Sequence, residues 1–140
     1  MSLEELFKEI IIEHYQHPKN HGHLDHPDAK SEGSNPLCGD ELQMEIAFEG
    51  DRIKDVMFSG NGCSISQSAA SLMTEAIKGK AVGDARRIME EYKHMLQGST
   101  YNADMLGDLE ALSDVKKFPA RVKCASLSMA VLDQALQQKK

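Results

Sequence analysis

The chain has 140 residues, of which 16 are basic and 22 are acidic, so its formal net charge is −6 with the histidines neutral. This length predicts a single domain over residues 1–140, and the acidic balance argues against a nucleic-acid binder or a binder of anionic membranes, which would carry a basic face. Hydrophobic residues make up 41% of the chain and charged residues 27%, which is typical of a globular protein and excludes a disordered one.

The first predicted element is an amphipathic helix over residues 3–16, in which apolar side chains recur at helical spacing between glutamates. Those glutamates interrupt the apolar stretch that a signal peptide needs, and no segment of the sequence is apolar enough to span a membrane. Pro18 ends the helix, and the polar stretch 17–36 indicates a long loop. Whether a third strand lies just before Cys38 stays open, because the sequence there shows no strand pattern.

Two strands follow the loop. Apolar and polar residues alternate with period two over residues 41–49, which predicts a strand with one buried face. Gly50 and Asp51 supply a turn, and residues 53–58 form the second strand of the predicted hairpin. Residues 59–62 then break the regular pattern.

The second half of the sequence is predicted to be mainly helical. Helical periodicity covers residues 64–78 and 82–96, whereas residues 97–117 show a mixed pattern with a short apolar piece. Phe118 and Pro119 open a last helix, since proline is acceptable in a first helical turn. The order of helix, strands and helices predicts an α+β fold in two layers.

The three cysteines are the first candidate functional residues. An odd number cannot pair completely within the chain, which argues against a disulfide framework and for a reducing, cytoplasmic location. Cys38 precedes the first predicted strand, Cys63 lies between a strand and a helix, and Cys124 lies one turn into the last helix. With Asp40, three thiolates would form a four-coordinate donor set for zinc. The separations are 25 and 61 residues, so spacing alone does not decide between a metal site and three buried cysteines that pack as small apolar residues.

Histidines form a second candidate cluster. Five of them fall within thirteen residues: His14, His17, His21, His23 and His26. This density suggests metal binding, but a solvated loop is the favoured interpretation because no predicted helix face or strand holds the ligands together. His14 differs from the others because it lies on the predicted first helix, where it would cap the helix end or contact a partner.

Each cysteine also lies in a short motif, and these motifs are Asn35-Pro36-Leu37-Cys38-Gly39-Asp40, Gly62-Cys63-Ser64-Ile65-Ser66 and Phe118-Pro119-Ala120-Arg121-Val122-Lys123-Cys124. In this order they resemble the U-type iron–sulfur cluster assembly proteins, the family of IscU, SufU and the NifU N-terminal domain. The resemblance covers nearly the whole chain and includes a first helix that ends in His14-Tyr15. It implies an IscU/SufU-like domain with a small antiparallel sheet of about three strands packed against several helices.

Two features resemble the SufU branch of that family. Lys123 precedes the last cysteine, where the IscU branch has a histidine. The stretch between Cys63 and Cys124 is also longer than in IscU-like members, with the extra length around residues 96–114. Both departures argue against a plain IscU-type scaffold role.

The resemblance implies a role in iron–sulfur cluster biogenesis. A SufU-like protein is a zinc-bound sulfur acceptor that takes persulfide sulfur from a cysteine desulfurase, a SufS-type pyridoxal-phosphate enzyme, and passes it to downstream cluster assembly or apo-proteins. The implied zinc ligands are Cys38, Asp40, Cys63 and Cys124, with Cys38 as the sulfur acceptor. Arg121 is a candidate for steering the incoming sulfur or a partner carboxylate, although it also fits an exposed helix arginine.

Two other functions remain open. The same four residues could hold a transient [2Fe–2S] cluster on a scaffold, since cysteine thiolates are the usual ligands of such clusters. Alternatively, the chain could be a structural zinc domain that serves as a binding module. Whether the transfer makes the chain an enzyme, with a zinc-dependent sulfurtransferase-type activity exerted together with a desulfurase, is also open.

Overall fold

The computed structural model describes residues 2–139. In chain order the elements are helix α1 (Leu3–Gln16), strands β1 (Ala29–Asn35), β2 (Asp40–Glu49) and β3 (Arg52–Asn61), helices α2 (Ser64–Ile77), α3 (Val82–Leu96) and α4 (Ala103–Leu106), a 3-10 segment (Gly107–Lys117) and helix α5 (Pro119–Gln137). This confirms the predicted α+β fold with a small antiparallel sheet and several helices. No helix within the described residues is both long and apolar enough to cross a membrane.

The sheet brings distant parts of the chain to one edge. Its strand order is β1-β2-β3, and both neighbouring pairs are antiparallel. Asn35 at the end of β1 pairs with Asp40 at the start of β2, and Glu41 pairs with Asn61 at the end of β3. The β1–β2 turn and the β3–α2 junction therefore lie side by side.

The hydrophobic core lies between this sheet and the helices. Helix α5 packs against β1 and β2, while α2 packs against β3 and α5. Apolar side chains from all these elements are fully buried, among them Ile46, Phe58, Met73, Leu112 and Leu132. Each contributes about 1.5–3 kcal/mol relative to exposure, so the core holds the sheet edge and the start of α5 in fixed relation.

Strand β1 corrects the expectation of a continuous loop over residues 17–36. Only its end residues, Ala29 and Asn35, are buried, so the strand lacks the apolar alternation by which a strand is recognised. Gly33 explains how it packs: an added Cβ would lie 2.9 Å from a methyl group of Val131 on α5. The strand approaches the helix through its backbone rather than through large side chains.

Strand β3 also differs from the prediction, since it continues past Phe58 to Asn61. Gly60 pairs with Leu42 across the sheet and has a φ of +132°. A Cβ at this position would collide with the carbonyl oxygen of Glu41. The glycine that suggested a break is therefore a residue that lets two strands approach closely.

The histidine near the end of α1 makes a contact within the chain that the sequence did not predict. His14 is buried, and its Nδ1 forms a 2.7 Å hydrogen bond with the hydroxyl of Ser71 on α2, so it fastens α1 to α2. Elsewhere in the cluster, His21 packs edge-on against Phe58 and His23 hydrogen-bonds to Glu45 at 2.7 Å. Within residues 2–139 no metal-ligating group is found among these histidines.

Candidate metal centre

Four elements position the predicted ligands. Cys38 lies in the β1–β2 turn and Asp40 begins β2. Cys63 is the N-cap residue of α2, directly after β3, and Cys124 lies in the second turn of α5. The antiparallel pairing at the sheet edge and the docking of α5 on β1 bring these four segments together.

Three of the four predicted ligands form a compact group. One ligating atom from each of Cys38, Asp40 and Cys124 lies within 4.8 Å of the other two. The Sγ atoms of Cys38 and Cys124 are 3.0 Å apart. Asp40 and Cys124 are buried, whereas Cys38 is half-buried, so the group has one accessible thiol.

The fourth predicted ligand, Cys63, stands beside this group. Its Sγ caps helix α2 by accepting a hydrogen bond from the backbone N–H of Ser66 at 3.4 Å. Its own N–H donates to Oδ1 of Asp40 at 2.8 Å. The backbone of Cys63 thus touches the group while its sulfur lies outside the 4.8 Å set.

The Asp40 carboxyl is held in its ionised form. Burial disfavours the charge, but the backbone N–H of Cys63 and the side chains of Cys124, Ser66 and Cys63 donate hydrogen bonds that outweigh burial. The pKa of Asp40 consequently lies below its usual range. A buried carboxylate that is already ionised is ready to bind a cation.

The Cys124 thiol is shifted in the opposite direction. Burial raises its pKa well above the ordinary value, and hydrogen bonds with Cys38, Asp40 and Cys63 raise it further. Like charges so close together disfavour a second anion. A cation within the group reverses this balance, because a coordinated thiol is deprotonated.

The chemistry of this donor set fits zinc. Three cysteine sulfurs and one carboxylate oxygen are ligand types that zinc prefers, and four of them complete a tetrahedron. Asp40 and Cys124 supply buried donors, and the half-buried Cys38 supplies one that a second molecule can reach. Zinc coordination by these four residues remains a prediction. The donor atoms of Cys38, Asp40 and Cys124 lie together, whereas the sulfur of Cys63 accepts the N–H of Ser66 in the first turn of α2.

Two residues beside the site were not predicted as part of it. Asn35 is buried and its amide nitrogen lies 3.5 Å from Oδ2 of Asp40 and 3.6 Å from Sγ of Cys124. Ser66 is fully buried and its hydroxyl lies 3.1 Å from Oδ1 of Asp40. A sequence signal existed for both, since Asn35 opens the Cys38 motif and Ser66 stands three residues after the N-cap cysteine.

Arg121 and Lys123 lie on the solvent side of the first turns of α5 and are both exposed. Arg121 precedes Cys124 by three residues, which places the two on neighbouring positions of one helix face. The exposed Phe118 begins the same helix, and the exposed Leu37 precedes Cys38. Exposed residues close in sequence to Cys38 and Cys124 therefore include two cations and two large apolar side chains.

Comparisons with known proteins match the chain along almost its whole length. The family model of the NifU-like N-terminal domain matches residues 6–125. The chain is 41% identical over 136 residues to the zinc-dependent sulfurtransferase SufU of Bacillus subtilis, covering 96% of this chain and 92% of that protein. It is 36% identical over 138 residues to the iron–sulfur cluster assembly scaffold protein IscU of Thermotoga maritima, covering 99% and 97%.

A solved structure is similar over the same extent. The crystal structure of a candidate iron–sulfur cluster assembly scaffold protein for the SUF system, from Fervidobacterium islandicum, superposes with a TM-score of 0.89 at 36% sequence identity. The match covers 96% of this chain and 99% of that one. Sequence and fold thus agree with one family along almost the whole chain.

Proposed function

The chain belongs to the NifU-like N-terminal domain family, and we propose that it is a zinc-dependent sulfur acceptor of iron–sulfur cluster biogenesis, which takes persulfide sulfur from a cysteine desulfurase and passes it on for cluster assembly. The observation that carries this proposal is the group of Cys38, Asp40 and Cys124, in which one half-buried thiol stands beside two buried donors. Such a group combines two buried donors, which are held in place, with a thiol that another molecule can contact.

Zinc would be held by Cys38, Asp40, Cys63 and Cys124. When bound, the ion supplies the charge that keeps the thiols deprotonated. A carboxylate is a harder and more exchangeable ligand than a thiolate, which suits a site whose coordination has to change. Cys124 is fully buried and Asp40 is hydrogen-bonded, so these two ligands would keep their positions while the coordination changes.

Cys38 is the residue that would accept the sulfur. Its turn lies between Asn35 and Asp40, and the neighbouring Leu37 side chain is 74% exposed, so the turn projects from the surface. Cys124 is fully buried, and Cys63 is half-buried like Cys38 but its sulfur accepts the Ser66 N–H. Access is required for attack on another protein's sulfur, and Cys38 meets that requirement best.

The transfer needs no oxidant. The Cys38 thiolate attacks the outer sulfur of the donor persulfide, and a new S–S bond forms on Cys38. The S–S bond of the donor breaks, and the donor cysteine leaves as a thiolate. One sulfur atom is transferred from the donor cysteine to Cys38, while the number of S–S bonds and the total charge stay the same.

The partner would be a SufS-type desulfurase, because the transfer requires a persulfide donor and such an enzyme supplies one. Arg121 supports docking, since it is an exposed cation one turn before Cys124. We place it as an assisting residue that steers the incoming sulfur or pairs with a partner carboxylate. Downstream cluster assembly or apo-proteins would then receive the sulfur in a reducing, cytoplasmic compartment.

The scaffold function uses the same donors and is the alternative outcome of the test. Its support is the 36% identity to a protein named as a scaffold. Lys123 argues against it, since the family resemblance implies a histidine before the last cysteine in the IscU branch. A scaffold would carry a coloured iron–sulfur cluster, but an acceptor would carry colourless zinc.

Intact-mass spectrometry tests the proposal. The zinc-loaded chain is mixed with a persulfidated desulfurase, and we expect a mass gain of one sulfur atom that peptide mapping assigns to Cys38. Arg121→Ala should lower the rate of this gain and leave zinc content unchanged. A wild-type chain that gains no sulfur from the donor would refute the acceptor function.

A further inference from the structure

We propose that Ser66 is a positioning residue of the metal centre, whose hydroxyl holds Oδ1 of Asp40 so that Oδ2 is the oxygen presented to the metal. This inference rests on the proposed function, because it specifies how the same site binds zinc. Ser66 is not one of the predicted ligands, and its hydrogen bond would determine which oxygen of Asp40 binds the metal.

The two oxygens of Asp40 have different surroundings. Oδ1 accepts hydrogen bonds from the N–H of Cys63 at 2.8 Å and from the hydroxyl of Ser66 at 3.1 Å. The thiols of Cys124 and Cys63 also hydrogen-bond to this carboxyl, but both are predicted metal ligands and would lose their protons on coordination. Outside the ligand set, the amide of Asn35 lies 3.5 Å from Oδ2, which is too long for a strong hydrogen bond. Each carboxylate oxygen has about two lone-pair sites, so Oδ1 is filled and Oδ2 is left for a metal.

The hydroxyl proton of Ser66 has two competing acceptors. The carbonyl oxygen of Cys63 and Oδ1 of Asp40 both lie 3.1 Å from Oγ. Because hydrogen bonds to an ionised carboxylate are stronger than those to a neutral carbonyl, the proton goes to Asp40. Gln67 supports this orientation, since its side-chain amide lies 3.4 Å from Oγ and can donate to it.

Ser66 also touches a second predicted ligand. Its backbone N–H donates to Sγ of Cys63, so one residue of the first turn of α2 contacts both Asp40 and Cys63. Gly62 makes room for this arrangement, because a Cβ there would lie 2.6 Å from Oδ1 of Asp40 and collide with Oγ of Ser66. Ser66 is fully buried, so its hydroxyl has no competing water to satisfy it.

Replacement of the hydroxyl should weaken zinc binding. Residues that orient metal ligands typically change metal affinity by about 10–100-fold when mutated, and we expect a loss of that size for Ser66→Ala. Ser68→Ala is the matched control, because Ser68 is equally buried on α2 but donates to the carbonyl of Ile65. Affinity is measured by competition with a chromophoric chelator.

Two further readouts separate positioning from a general effect on folding. In the Asp40→Ala background the Ser66→Ala change should have no additional effect on zinc affinity, because a residue that acts through Asp40 has nothing left to orient. The visible spectrum of the Co²⁺-loaded chain should change in Ser66→Ala and stay as in wild type in Ser68→Ala. Ser66→Gly, which also lacks the hydroxyl, replaces Ser66→Ala if that variant does not fold.

The outcomes are distinct. Wild-type zinc affinity in Ser66→Ala, or an equal loss of affinity with and without Asp40, would overturn the positioning role. A wild-type chain that binds no zinc would overturn the proposed function instead.

Discussion

The Sγ atoms of Cys38 and Cys124 lie 3.0 Å apart, although the two residues are 86 positions apart in the chain. A disulfide has a bond of about 2.05 Å, so these are two separate thiols within hydrogen-bonding distance. The β1–β2 turn and helix α5 are held together by the core, and this packing fixes the approach of the two sulfurs. Such proximity suits two ligands of one metal ion.

Replacement of the accessible thiol should separate sulfur acceptance from donor chemistry. In Cys38→Ser the attacking sulfur is replaced by a hydroxyl, which is not ionised at neutral pH, so we expect sulfur acceptance to fall to background. The desulfurase persulfide should still form, and this is the internal control. Ser34→Ala, an exposed change at the end of β1, should keep full acceptance. Retained transfer in Cys38→Ser would show that another residue accepts the sulfur.

The glycine at the β3–α2 junction should be sensitive to a single methyl group. In Gly62→Ala the new Cβ would lie 2.6 Å from Oδ1 of Asp40, so zinc affinity should fall and the chain should lose about 1–3 kcal/mol of stability through overpacking. Gly83→Ala is the control, since nothing lies within 4 Å of its added Cβ and alanine is favoured in helix α3. Equal zinc affinity in both variants would contradict the crowding argument.

A buried tyrosine anchors the helix that carries Cys124. The hydroxyl of Tyr92 on α3 donates to the carbonyl oxygen of Ala125 at 2.7 Å, and Tyr92 is fully buried. Tyr92→Phe should therefore lower the free energy of unfolding by about 1 kcal/mol in urea titrations. Tyr15→Phe, at a side chain that is 47% exposed, should leave it unchanged. The same value for both variants would mean that the buried hydrogen bond contributes nothing.

The contact between α1 and α2 should make stability depend on pH. Burial lowers the pKa of His14 below its ordinary value of 6.5; Lys19 also lowers it, whereas Asp108, Glu75 and Glu13 oppose the shift. The folded state therefore favours the neutral imidazole. The contribution of the neutral His14 side chain to the free energy of unfolding is complete above the unfolded-state pKa. It is lost as the pH falls through the lower folded-state pKa.

We therefore expect wild type to be more stable than His14→Gln near neutral pH and the difference to shrink as the solution is acidified. The exposed Gln16, which has no titratable side chain, is the control position, and the difference between wild type and Gln16→Ala should not vary with pH. Urea titrations at a series of pH values measure both differences. A His14→Gln difference that grows on acidification would reverse the sign and refute the argument.

The helices could be predicted because their signals are local. Apolar residues at helical spacing, with the break at Pro18, predict helices over residues 3–16 and 64–78, and both agree with α1 and α2 to within one residue. Strand β1 could not be predicted in this way, since it is stabilised by pairing with β2 and by the approach of Gly33 to Val131. These are contacts between distant parts of the chain.

The site was predictable in its ligand types but not in its detailed contacts. The family resemblance pointed to Cys38, Asp40, Cys63 and Cys124, and the fold brings donor atoms of Cys38, Asp40 and Cys124 together. The hydrogen bond from Ser66 to Asp40 depends on the first turn of α2 meeting the start of β2. No residue spacing in the sequence reports that distance.

The most direct test of zinc-dependent sulfur acceptance is the rate of cysteine turnover by the desulfurase with the zinc-loaded chain, with the zinc-stripped chain and without either. We expect stimulation by the zinc-loaded chain, loss of stimulation after stripping and recovery when zinc is restored. Equal stimulation by the stripped chain would contradict the zinc requirement. A chain that does not stimulate the enzyme and instead transfers a coloured cluster to an apo-protein would be a scaffold.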